Sequence, residues 1–192
     1  FPDDGIVGEE HDPKRGSSGF TWVIDPIDGT TNFINGIPAW TVVLAGVCDD
    51  KTQIGIIFDA CHDYCLNAMP LKSLHRSALT EGSVGVGFSN LVTTVGVSKL
   101  VEKILDAGGV FHRNAFGALS LAYVADGRLL GYSEEHMNAW DCLAGQLLVA
   151  EAGGRVEAQS ADAMIRQGGR VVVGAPGVFE HLIAIPDEAY AA

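Results

Sequence analysis

The chain has 192 residues, 47% hydrophobic and 19% charged, with a formal net charge of −12 at pH 7. That length supports one core, as a single domain or two closely joined halves, and the composition excludes intrinsic disorder. The acidic balance excludes a basic nucleic-acid surface, and no apolar run approaches the ~20 residues a membrane helix needs.

The first half reads as β. Phe20–Ile24 and Trp40–Val47 are apolar, β-branched runs, the second ending at the turn signal Asp49-Asp50. Gln53–Phe58 and Tyr64–Met69 follow at hairpin spacing, which predicts an antiparallel sheet. Within it, Cys61-His62-Asp63-Tyr64-Cys65 has no second ligand pair at zinc spacing, so strand alternation explains it better. The four cysteines form no secreted disulfide pattern and Phe1-Pro2-Asp3-Asp4 does not read as a signal peptide, so a cytoplasmic location is expected.

Strand–helix alternation takes over after that. Ser83–Phe88 reads as a buried strand, Val97–Ala107 as a helix stopped by Gly108-Gly109, Ala118–Ala125 as a helix and Leu129–Tyr132 as a short strand. Asp141 opens the clearest helix, with Leu143, Ala144, Leu147 and Leu148 on one face and Gly153-Gly154 as the stop. Val171–Val173 is a strand, and Pro176 is expected to begin the last helix. The expected halves are residues 1–81, an antiparallel sheet carrying a metal site, and 82–192, an α/β unit with a mixed sheet.

The chemistry concentrates in Trp22-Val23-Ile24-Asp25-Pro26-Ile27-Asp28-Gly29-Thr30-Thr31-Asn32-Phe33. An apolar strand delivers Asp25 at its end, and Pro26, with no N–H to donate, is expected to halt the ladder. Asp28 follows across a turn, so both carboxylates can converge, while the N–H groups of Gly29 and Thr30 can face an anion. Carboxylates suit a hard divalent cation, and an acidic protein handling a phosphate ester needs cations to bridge the repulsion. Asp141 reads as an N-cap, a ligand or both. Glu9 and Glu10 read as solvated charges or as a ligand, with Glu9 favoured. His136 reads as a surface histidine.

The Trp22–Phe33 run resembles the signature of the inositol monophosphatase family. Gly8-Glu9-Glu10 stands where that family has its acidic metal loop, and Trp140-Asp141-Cys142-Leu143-Ala144-Gly145 with Glu151-Ala152-Gly153-Gly154 is similar to its second signature. The resemblance implies a layered αβαβα sandwich of the sugar-phosphatase type and an Mg²⁺-dependent phosphomonoesterase using two or three ions, with Mn²⁺ as a substitute. Glu9, Asp25 and the Ile27 carbonyl would hold one metal, and Asp25, Asp28 and Asp141 a second. Glu9 and Thr30 would activate and orient the attacking water, with no phospho-enzyme. Gly29 and Thr30 would hold the phosphate, with Asp28, Asp141 and Glu134 facing the substrate, Glu134 at its hydroxyls.

The implied substrate is a small phosphorylated polyol, with inositol 1-monophosphate leading. Histidinol phosphate, fructose 1,6-bisphosphate and phosphoadenosine phosphate are the alternatives. A fold-retaining, transcription-associated binding protein is the alternative from another class. Lithium inhibition and a homodimer are implied too, with neither nucleic acid nor membrane as partner.

The chain departs from the pattern in three places. The family's two leading helices do not precede the acidic loop, Met69-Pro70-Leu71-Lys72 replaces a glycine-rich hairpin, and Ala115-Phe116-Gly117 lacks a hydroxyl near the substrate. The second departure leads to the expectation of a splice between Met69 and Ser73.

Overall fold

A computed structural model describes residues 1–62, 64–66, 75–114 and 116–190. The first sheet is laid down in chain order, β1 (Gly5–Gly8), β2 (Phe20–Asp28), β3 (Thr41–Cys48), β4 (Lys51–Asp59) and β5 (Tyr64–Leu66). From β2 to β5 it is antiparallel, as expected. The edge corrects that expectation, because β1 pairs with β2 in parallel and makes the sheet mixed. Between them the chain doubles back, with Lys14 and Ile6 exchanging backbone hydrogen bonds of 2.8 and 2.9 Å, before β2 sets out alongside β1. Asp49 and Asp50, both at positive φ, make the two-residue β3–β4 turn, whose mirror-image geometry suits the strand twist.

The second sheet has the order β7 (Val110–His112), β6 (Ser83–Val86), β8 (Gly131–Met137), β10 (Gly169–Gly174) and β9 (Arg155–Val156). β6 is parallel to both neighbours and β10 antiparallel to both of its own. Helices α3 (Gly117–Ala125) and α4 (Ala139–Glu151) lie between the sheets, where they bury Val23, Val43 and Ile57 of the first sheet against Val171 and Val173 of the second. Val172, one residue out of phase, faces the opposite way. It joins Leu100 and Ile104 of α2 (Thr94–Asp106) and Leu182 of α6 (Phe179–Tyr190) in a separate cluster. Among the described residues the layers therefore run sheet, helices, sheet, helices. Ile6, Val42 and Ile56 on the outer face of the first sheet are exposed.

Several boundaries differ from expectation. β2 does not stop at Pro26 but continues to Asp28 through a bulge, where an unpaired residue can lack an N–H. β8 extends to Met137 instead of ending at Tyr132, although Ser133 and Glu134 are polar, because both are buried against neighbours. Asn138, not Asp141, is the N-cap of α4. Pro176 lies in the turn before α6 and begins no helix. Helices α1 (Thr30–Ile34) and α5 (Ala161–Gln167) were not foreseen. The expected splice between Met69 and Ser73 lies outside the described residues.

Candidate active site

Side chains alternate along a strand, so residues three apart would ordinarily face opposite ways. Asp25 pairs with Val43 and Asp28 with Thr41, three steps on β2 against two on β3, and that extra residue restores the parity. Both carboxylates therefore turn inward and are buried, while Pro26 is exposed. The Ile27 N–H donates to Asp25 Oδ1 at 2.8 Å. Asp28 Oδ2 accepts from Thr41 Oγ1 at 3.3 Å and from the Ala118 N–H, in the first turn of α3, at 2.9 Å.

Asp141, half-buried in the first turn of α4, completes the group. One carboxylate oxygen from each of Asp25, Asp28 and Asp141 lies within 4.8 Å of the other two. Glu9 stands outside that trio but lines the same cleft. It follows Gly8, which pairs with Ile24, so the parallel edge strand sets Glu9 beside Asp25. Gly8 is needed there, since a Cβ would come 2.6 Å from the Ile24 carbonyl oxygen.

Gly29 turns the chain into α1 at φ 94°, a conformation that favours glycine, and Thr30 begins the helix. The Thr30 hydroxyl donates to the Ile27 carbonyl at 3.0 Å, so that carbonyl is engaged within the chain. The cleft has a volume of about 210 Å³. Its other wall holds Glu134 and Tyr132 of β8, Gly87 and Phe88 beyond β6, and Arg113. Sequence reasoning found Glu134 but missed Tyr132, Gly87 and Arg113, which are brought together by pairing in the second sheet. His136 lies elsewhere, its Nε2 bonded to the Gln167 carbonyl at 3.0 Å.

The carboxylates crowd one another without a cation. Burial, then the charge of Asp25, pushes Asp28 up to about 7. Burial likewise raises Asp25 and Asp141, the latter also through the charges of Asp28 and Asp25. Glu9 is raised by partial burial and by Asp25. Burial pushes Glu134 up to about 7, against the opposing pull of the Tyr132 hydroxyl and Arg113. Converging hard oxygen donors that resist ionisation together fit a divalent cation, which would relieve every one of these repulsions.

The sequence pattern of the inositol monophosphatase family matches residues 1–188. The chain belongs to that family. Membership supports a metal-dependent phosphatase, and the acidic trio is compatible with it. Two kinds of name occur among the curated relatives. "Nus factor SuhB" of Pasteurella multocida is 31% identical over 95% of this chain and 73% of its own length. "Inositol-1-monophosphatase" of Mycobacterium leprae is 32% identical over 95% and 70%. Among solved structures, the extragenic suppressor protein SuhB of Bartonella henselae superposes with a TM-score of 0.85 at 27% identity, covering 97% of this chain and 78% of that one. Mycobacterium tuberculosis SuhB gives 0.81 at 30% identity, over 98% and 77%. The name Nus factor stands in tension with the expectation, drawn from charge alone, that nucleic acid is no partner. Among the described residues no helix is long and apolar enough to cross a membrane.

Proposed function

We propose that this chain is an Mg²⁺-dependent phosphomonoesterase acting on a small phosphorylated polyol, with inositol 1-phosphate the leading substrate. The convergence of Asp25, Asp28 and Asp141 on one cleft is the observation that carries this reading. Those three residues with Glu9 would hold the metal, Mn²⁺ being an acceptable substitute. When bound, the ions would offset the ester's negative charge, acidify a water and stabilise the leaving oxygen.

The remaining roles belong to the chain. The N–H groups at the start of α1, preset by Gly29, receive phosphate oxygens. The Thr30 hydroxyl orients the attacking water, and Glu9, whose proton affinity is raised, accepts its proton. Glu134 faces the alcohol portion from the opposite wall. The phosphoryl group passes directly to water, a reading supported by the absence of cysteine and serine from the cleft lining among the described residues. Lithium inhibition and homodimerisation accompany this reading as family expectations.

The decisive experiment is phosphate release from inositol 1-phosphate, histidinol phosphate, fructose 1,6-bisphosphate and phosphoadenosine phosphate, with Mg²⁺ or Mn²⁺ and then with EDTA. Release that EDTA abolishes is expected. No release from any of the four with either metal would sink the proposal. The Nus-factor name among relatives favours an additional binding role, which Asp25→Asn would leave intact while removing phosphate release.

A further inference from the structure

Tyr132 and Glu134 stand two residues apart on β8 and so point the same way, into the cleft. Tyr132 is 1% exposed, yet its polar end is not idle: the hydroxyl donates to Glu134 Oε2. Room for this contact comes from Gly87. A Cβ there would sit 2.0 Å from Glu134 Oε2 and 2.1 Å from the Tyr132 hydroxyl. The Gly87 N–H bonds the Ser133 carbonyl at 3.0 Å, which pins the glycine beside the pair.

We propose that Tyr132, with the space left by Gly87, is the positioning residue that holds Glu134 in the orientation from which it can meet a hydroxyl of the bound alcohol. A phenol has one proton to donate, and here it is committed to Oε2. The other oxygen of Glu134 has no partner among the described residues and is left to accept from a ligand. A carboxylate oriented by a donor has its other oxygen free to accept from a neutral hydroxyl, which favours polyol portions over leaving groups without one. This inference rests on the phosphatase reading above.

The test compares kcat and KM for inositol 1-phosphate with those for p-nitrophenyl phosphate, whose leaving group carries no hydroxyl, both in saturating Mg²⁺. Glu134→Gln should lower the discrimination between the two substrates. Tyr132→Phe and Gly87→Ala should each lower it about tenfold, through KM for inositol 1-phosphate and with kcat changed less than twofold. Tyr132→Phe added to Glu134→Gln should cost nothing further. A Tyr132→Phe protein that keeps full discrimination while Glu134→Gln loses it overturns the positioning role and leaves the phosphatase reading standing. Equal losses on both substrates with a lowered Tm would mark the hydrogen bond as merely structural, and also overturn it. If Gly87→Ala does not fold, the isosteric Tyr132→Phe decides alone. A wild-type protein that hydrolyses both esters without preference overturns the inference, whereas one that hydrolyses neither removes the phosphatase reading itself.

Discussion

Two clusters of acidic side chains among the described residues are treated in opposite ways. On β10, Arg170 donates to Glu157 at 3.0 Å and to Asp187 of α6 at 2.6 Å, so one guanidinium serves two carboxylates. In the cleft, Asp25, Asp28 and Asp141 are more deeply placed, yet among the described residues Asp25 and Asp28 meet backbone N–H groups, a threonine hydroxyl and, for Asp25, the Asp141 carboxyl, with no cationic side chain. The first cluster is complete within the chain. In the second, burial and mutual repulsion raise the carboxylates, and a divalent cation would relieve that repulsion.

The sharpest way to break this contrast is to neutralise Asp25, the carboxylate expected to touch both metals. Asp25→Asn should lower phosphate release well over 100-fold, since loss of a mere outer-sphere partner of a metal costs about 10–100-fold. Near-wild-type turnover would show the ligand assignment to be wrong. Next in size is the response to pH without metal. Asp28 is raised from 3.8 to about 7, so its protonated form favours the fold at low pH, and that contribution is lost as pH climbs from about 4 to about 7. In EDTA the Tm should fall between pH 5 and pH 8, and Mg²⁺ should recover more of it at pH 8 than at pH 5. A flat profile would contradict the repulsion.

Asp28→Asn sharpens the same point. It should raise the Tm of the metal-free protein at pH 8 by a few degrees, as about 1 kcal/mol amounts to roughly 2–4 °C at this length, while depressing turnover. An unchanged or lower Tm would count against it. The smallest effect belongs to the completed cluster. Arg170→Met should cost about 1 kcal/mol in denaturant unfolding, because the network is partly solvent-exposed, and should leave phosphate release intact. A loss of activity there would mean the two clusters are coupled.

The sequence made the trio legible for a simple reason: apolar β-branched residues running into Asp25 mark a buried strand end, and the Trp140-Asp141 signature recurs at a helix start. The means of convergence was not legible. Pro26 reads as a stop, and only the pairing of β2 with β3 turns it into the bulge that brings Asp28 to the same face. β1 escaped notice because two of its four residues are glycine, which carries no β preference, and its parallel pairing depends on the doubled-back segment around Lys14. Tyr132 read as the end of a core strand, since the Ser-Glu-Glu-His sequence after it looks like solvent-facing loop. Burial against β10 and the cleft overrides that local signal. The start of α5 was readable in principle, because Ser160 caps it by accepting from the Ala163 N–H at 3.0 Å.

The Ala118 N–H that steadies Asp28 comes from 90 residues further along the chain, and Asn32 reaches the Asn114 carbonyl across 82. During synthesis, at ~5–20 residues per second, β2 waits roughly 5–25 s after its own appearance for Asp141. The hairpins β2–β3–β4 are local and can close in that interval, but Val23, Val43 and Ile57 then present an apolar face with α3 and α4 still unmade. A nascent chain at this stage is a half-built sheet whose apolar side is also the side that carries Asp25 and Asp28. That surface stays uncovered until α4 emerges, so a chain ended before Trp140 is expected to expose it and to associate through it.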